Sequence, residues 1–185
     1  MKFIGIIPAR YGSTRFPGKP LADIGGKMMV QRVYEQSVKA LDEVVVATDD
    51  QRILEAVEGF GGKVVMTSKK HKNGTDRCHE ALLNYQEQTG KKFDVVINIQ
   101  GDEPFIQPEQ LINIKKCFDA EGTEIATLAK PINYSDDIFS VKEAKMVLNR
   151  KNEVIYFSRS PIPFMMKVKN KKDWVKRNIF YKHIG

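Results

Sequence analysis

Four brief apolar runs separated by stretches of helical periodicity constrain this chain more than any other feature. Phe3 to Pro8, Glu43 to Ala47, Lys63 to Met66 and Asp94 to Asn98 read as strands, three of them rich in Val and Ile. Between them, Met28 to Leu41, Asp50 to Gly59 and Asp76 to Gln88 carry apolar residues at three- and four-residue intervals. Met29, Val33, Val38 and Leu41 share a face in the first, and Ile53, Val57 and Phe60 in the second. Parallel neighbours need long return connections, almost always right-handed. Strand, helix, strand in repeated order therefore implies a mostly parallel sheet with helices on both faces, a three-layer α/β arrangement. Ligands of such sheets sit beyond the carboxyl ends of the strands, so the loops after Pro8, Ala47 and Asn98 are expected to converge on one site.

A fourth helix is expected near Pro108 to Phe118, after which the pattern changes to strand-like pieces without regular helices. These are Glu124 to Leu128, Ala144 to Leu148, Val154 to Ser158 and Asn178 to His183, expected to extend the same sheet and add a flap. A length of 185 residues suits a single domain spanning 1–185, with a core that needs no disulfide or metal staple. Hydrophobic residues at 42% and charged residues at 29% exclude the disordered and collagen-like classes. Lys2 leads straight into a strand-like segment rather than a signal-peptide core, and no apolar run approaches ~20 residues, so a cytoplasmic protein without membrane insertion is expected.

Cys78 and Cys117 show no paired-ligand spacing and read as small buried hydrophobes. A net charge of +7 suits nucleic acid, a membrane surface or an anionic small substrate, and charge alone does not choose among them. Much of the excess lies between Lys167 and Lys182, around Trp174 and the lone Asp173. A nucleic-acid-binding stretch would interleave such charges with stacking aromatics; a solvated excursion is the reading preferred.

The first strand empties into Pro8-Ala9-Arg10-Tyr11-Gly12-Ser13-Thr14-Arg15-Phe16-Pro17-Gly18-Lys19-Pro20. A triphosphate needs cations approaching from several sides and backbone amides that come close, and this loop offers both. It is not a Walker A motif, because Pro20 follows the lysine where a helix should begin. The fourth strand ends in Asn98-Ile99-Gln100-Gly101-Asp102-Glu103-Pro104. An aspartate just past a strand end, made approachable by Gly101, suits magnesium, which takes carboxylate oxygen and keeps waters and phosphates; a turn-capping role is the alternative. Gly74-Thr75-Asp76-Arg77 opens the third helix, with Thr75 or Asp76 able to cap it and terminal amides free for an anion or a base carbonyl. No arrangement for covalent nucleophilic catalysis is visible.

With these residues assembled, the chain resembles the sugar-acid cytidylyltransferases, in particular the CMP-KDO synthetase (3-deoxy-manno-octulosonate cytidylyltransferase) branch. Ile6 to Arg10, Gly12 to Arg15 and Pro17 to Leu21 are similar to its CTP-binding signature. Val46-Ala47-Thr48-Asp49, His71, Gly74 to Arg77, Gln100 to Pro104, Tyr156 to Pro163 and Lys182 to Gly185 follow in the family's order. The resemblance implies a Rossmann-like fold of the nucleotide-diphospho-sugar transferase type and transfer of CMP from CTP to KDO. Pyrophosphate would be released with Mg2+ assistance, for lipopolysaccharide biosynthesis. It also implies that Arg10, Ser13, Arg15 and Lys19 hold the triphosphate, with Lys19, Arg15 and Asp102 catalytic and Asp102 on the metal. Asn73, Gly74 and Arg77 would lie near the nucleotide, Gln100 would touch both substrates, and Arg159 and His183 would line the KDO pocket, a guanidinium matching the sugar carboxylate.

Position 73 is Asn where many relatives have Ser, a change that keeps a hydrogen-bonding side chain. Family members continue past His183-Ile184-Gly185 through more of the sugar pocket, a dimer-forming region and a second metal-binding aspartate. The chain is therefore expected to lack the family's C-terminal segment, and a homodimer is expected of the full-length protein. A cytidylyltransferase for sialic acid and, in another class, a basic nucleic-acid-binding protein are the competing readings.

Overall fold

The structure is a computed structural model that describes residues 1–12 and 16–184. Its contacts divide the chain into two compact units, Met1–Thr123 and Glu124–Gly185. The first contains β1 (Phe3–Ala9), α1 (Met29–Ser37), β2 (Val44–Thr48), α2 (Gln51–Gly59), β3 (Val64–Met66), α3 (Gly74–Thr89), β4 (Val95–Asn98) and α4 (Pro108–Cys117). Its strands form one sheet in the order β3-β2-β1-β4, and every pairing is parallel, as the alternating pattern predicts.

Strand residues alternate between the two faces, and each face finds its own helices. On one face Ile7, Val44, Val46 and Ile97 pack with Val30 and Val33 of α1, Ile53 and Val57 of α2 and Leu111 of α4. On the other, Ile4, Ile6, Val45 and Ala47 meet Cys78, Ala81 and Tyr85, which lie along one stripe of α3. Fully burying each such Ile or Val contributes about 1.5–3 kcal/mol. The path from β3 to β4 runs along α3 on the second face, so the strand order reverses beside β1. That reversal leaves a crevice at the carboxyl ends of β1 and β4.

Helix ends differ from expectation in two places. Helix α1 stops at Ser37, and Val38, expected inside, caps it and is exposed, while Val30 and Tyr34 take buried places beside Met29 and Val33. Helix α3 opens at Gly74 as expected, but Asn73 and not Thr75 or Asp76 is its cap: Asn73 Oδ1 accepts the Asp76 amide at 2.8 Å. Cys78 is buried as expected and burial pushes its thiol up to about 12. Cys117, on the last turn of α4, is exposed instead.

The second unit corrects the expectation of a single extended sheet. β5 (Leu128–Pro131), β6 (Lys145–Leu148), β7 (Val154–Ser158) and β8 (Tyr181–Ile184) form a separate antiparallel sheet in the order β5-β8-β6-β7. A short helix, α5 (Ser135–Phe139), also stands where no regular helix was expected. Trp174 is 4% exposed and packs with Ile132, Ile138 and Phe180, so the basic stretch around it does not present this ring to solvent. Among the described residues no helix is long and apolar enough to cross a membrane.

Candidate active site

The loop leaving β1 is tied at its two ends. The Gly18 amide donates to the Tyr11 carbonyl at 2.9 Å. Gly18 has φ of 72°, and a Cβ there would stand 3.0 Å from the Tyr11 ring, so both the backbone and the space favour glycine. The Arg52 guanidinium covers the Tyr11 ring at 3.3 Å and is itself held by Asp50 at 2.7 Å. Ser13 and Arg15 lie outside the described residues. A single 3-10 turn, Lys19–Leu21, then presents Lys19.

At the neighbouring strand end, Gly101 allows the β4 loop to cross the β1 backbone: a Cβ at 101 would fall 2.7 Å from the Pro8 carbonyl oxygen. This close passage sets Asp102 opposite Lys19, whose Nζ donates to Asp102 Oδ2 at 2.7 Å. The two side chains are 35% and 54% exposed, so both remain open to a ligand. Between the loops lies a cleft of about 610 Å3, lined by Arg10, Lys19, Gln100 and Asp102. The start of α3 forms another wall, with Asn73, Gly74 and Arg77 also lining the cleft. Every described residue assigned to CTP from the sequence therefore borders one cavity.

The α3 wall is braced by a buried cation. Arg77 is 3% exposed; its Nη2 donates to Asp49 at 2.7 Å and its Nη1 to Thr67 Oγ1 at 2.6 Å. The loop after β2, expected to line the site, thus acts through Asp49 on Arg77 rather than facing the cavity. Two of the guanidinium's nitrogens are spent inside the protein, which makes Arg77 a brace for the first turn of α3 as well as a lining residue. Asn73 closes the same turn, its Nδ2 donating to Asp76 Oδ2 at 2.8 Å.

Within the second unit, the register sets Arg159 and His183 level with each other. Lys145 of β6 stands opposite Ser158 of β7 and Lys182 of β8, so the residues that follow these two flank Ala144 on its two sides. Two strand spacings separate them, roughly 10 Å across the sheet. Arg159 Nη1 donates to the carbonyls of Val141 and Lys142 at 2.8 and 2.9 Å. His183 Nε2 meets Thr127 Oγ1 at 2.8 Å, and its ring stands edge-on to Phe157 with centroids 5.4 Å apart.

Sequence reasoning missed the support beneath this pair. The Lys145 side chain is fully buried, and its ammonium donates to the carbonyls of Ser140, Glu143 and Arg159 at 2.6–2.8 Å. Burial draws its pKa below the ordinary lysine value, with the Glu143 charge opposing. Also missed as a site residue was His71, which lines the cleft and is hydrogen-bonded to Glu80. Nothing in a lone lysine on a strand signals the first contact, whereas His71 stood in the family's order without an assigned role.

The cytidylyltransferase family model matches residues 4–185. The chain is 59% identical over its whole length to a 3-deoxy-manno-octulosonate cytidylyltransferase of Parabacteroides distasonis, of which it spans 73%. It is 58% identical, with the same coverage, to one of Bacteroides thetaiotaomicron. A solved structure of a CMP:2-keto-3-deoxy-manno-octonic acid synthetase complexed with CTP superimposes with a TM-score of 0.87 at 39% identity, covering 100% of this chain and 72% of that one. A parallel sheet with an open, cationic switch-point cleft, joined to this degree of likeness, places the chain in the cytidylyltransferase family, among the 3-deoxy-manno-octulosonate cytidylyltransferases.

Proposed function

We propose that this chain transfers CMP from CTP to the anomeric hydroxyl of KDO, releasing pyrophosphate. The observation that carries the reading is the pairing of Lys19 and Asp102 across a cleft at the switch point, in a chain 39% identical to a synthetase solved with CTP. In-line displacement at phosphorus asks the protein mainly for positioning and charge neutralisation. Arg10 and Lys19 supply cations at the carboxyl end of β1, with Ser13 and Arg15 assigned to the same task. Lys19 balances the charge that develops at the reacting phosphorus and on the departing pyrophosphate. Asn73 and Gly74 offer the opening of α3 to the nucleotide, and Gln100 lies at the cleft edge for both substrates. Arg159 and His183 take the sugar acid, the guanidinium facing its carboxylate.

Magnesium fits the residues present in one mode. Among the described residues no group of three or more His, Cys, Asp or Glu is arranged to hold a metal, whereas Asp102 offers one exposed hard oxygen ligand at the cleft edge. That suits an ion that keeps waters and takes the rest of its ligands from phosphates. Bound there, it would neutralise phosphate charge. A homodimer belongs to the same reading and is supported by the edge strand β7, whose Val154, Ile155 and Tyr156 are exposed. So do a cytoplasmic setting and a product destined for lipopolysaccharide.

Pyrophosphate release with CTP, magnesium and KDO, beside controls lacking the sugar or offering sialic acid, tests the reading. Release that depends on KDO is expected. Equal release with sialic acid would refute the choice of sugar, and unchanged magnesium dependence in Asp102→Ala would refute the metal assignment.

A further inference from the structure

His71 and Glu80 form a pair on the cleft wall to which the proposed reaction assigns no task. Glu80 lies on α3, and its two carboxylate oxygens accept the Ser68 amide at 3.0 and 3.2 Å. The same carboxylate is hydrogen-bonded to His71 Nε2. The Ser68 amide first, and then His71, hold the Glu80 carboxyl below its ordinary value. It is therefore ionised at neutral pH and can only accept. An acceptor-only partner requires the proton of a neutral His71 to sit on Nε2. Nδ1 is then left as a lone-pair acceptor, with no hydrogen bond to it among the described residues.

His71 lines the cleft, and its side chain is 19% exposed. Its charged neighbours are engaged elsewhere or absent from the pair: Arg77 is bound to Asp49 and Thr67, and Asp76 to Asn73. Lys70 and Lys72 flank it on the loop and are exposed. A phosphate oxygen offers no proton to an acceptor at neutral pH, whereas a base amine or a ribose hydroxyl does.

We propose that His71, oriented by Glu80, contacts the nucleotide directly, Nδ1 accepting a hydrogen bond from an N–H or O–H of its base or ribose. The proposal rests on the CTP reading of the cleft. Glu80 is the positioning residue, acting on the nucleotide only through His71 and the Ser68 segment.

Calorimetric titration of CTP into the wild type, His71→Phe, His71→Asn and Glu80→Gln tests it, with His79→Asn on the exposed side of α3 as the control. Nitrogen-15 NMR of the histidine rings reports the tautomer in the same samples. Losing one hydrogen bond weakens CTP about five- to tenfold in His71→Phe, and less in His71→Asn, whose amide oxygen still accepts. Glu80→Gln, which can donate as well as accept, is expected to lower the population of the Nε2–H tautomer. It should raise KM for CTP more than it lowers kcat. A folded His71→Phe, or His71→Asn if the former does not fold, binding CTP as tightly as the wild type would overturn the proposal and leave the CTP reading standing. A dominant Nδ1–H tautomer in the wild type would also overturn it. A wild type that binds no CTP would overturn both.

Discussion

Glu43 stands just before β2 at the end of the sheet opposite the cleft, and its replacement by Gln is a test of stability separated from chemistry. The carboxylate is 9% exposed and is hydrogen-bonded by the Lys63 and Lys91 ammonium groups and by the Tyr85 hydroxyl. Burial alone would raise its pKa, but these three donors outweigh burial and bring it from 4.5 to about 2. A carboxyl depressed in the folded state contributes its stability above the unfolded value and loses it as pH falls toward the folded one. At about 1.4 kcal/mol per pH unit, the gap bounds that contribution at about 3.5 kcal/mol. Both lysines are about half exposed, which screens the pair and brings the expected loss in Glu43→Gln to about 2 kcal/mol at pH 7. Urea denaturation of the two proteins from pH 7 to pH 2.5 should show the difference constant down to near 4.5 and shrinking below it. CTP affinity at pH 7 should not change. A difference that is the same at every pH would refute the electrostatic account and leave Glu43 as a packing residue.

Lys19→Met should leave stability within about 0.5 kcal/mol, since its partner is largely exposed, yet slow pyrophosphate release by about a hundredfold or more. Arg77→Ala removes one partner of a buried pair and should cost about 3 kcal/mol in denaturant unfolding. Arg77→Lys should recover little of it, because one ammonium does not span Asp49 and Thr67 as the planar fork does. Lys145→Met leaves three carbonyls without their shared donor and should destabilise the second unit by about 2 kcal/mol, read as earlier amide exchange in β6 and β8.

The first unit was largely legible because its information is local. Val- and Ile-rich runs mark strands, of which the central β1 and β2 are buried on both faces, and each is joined to the next by a helix whose stripe is visible in the sequence. Where local signals competed, the reading slipped: Thr75 and Asp76 have capping chemistry, but Asn73 stands one residue before the first helical amide and takes the role. The second unit depends on pairings that no neighbourhood encodes. β5 joins β8 across the intervening strands β6 and β7, and the apolar Ile125, which argued for a strand from Glu124, is 89% exposed ahead of β5. The site divides in the same way. The β1 and β4 loops follow directly from strand ends, whereas Asp49 with Arg77 and Glu80 with His71 meet only once the loops that approach the start of α3 are folded.

Two kinds of ion pair therefore serve one sheet. At the amino end Glu43 is enclosed by its donors, and beside the cleft Arg77 is enclosed by Asp49 and Thr67; both hold elements in place, and losing a partner is costly. Lys19 and Asp102 form a contact of similar length but remain in solvent, where such a pair contributes at most about 1 kcal/mol. A pair that weak is readily exchanged. In the proposed reaction a triphosphate would offer Lys19 several anionic oxygens in place of one carboxylate, and the freed Asp102 would have an oxygen to give to a magnesium ion on the same phosphates. Burying the pair would have made each side chain costly to part from the other, so its exposure is what the proposed exchange asks of it.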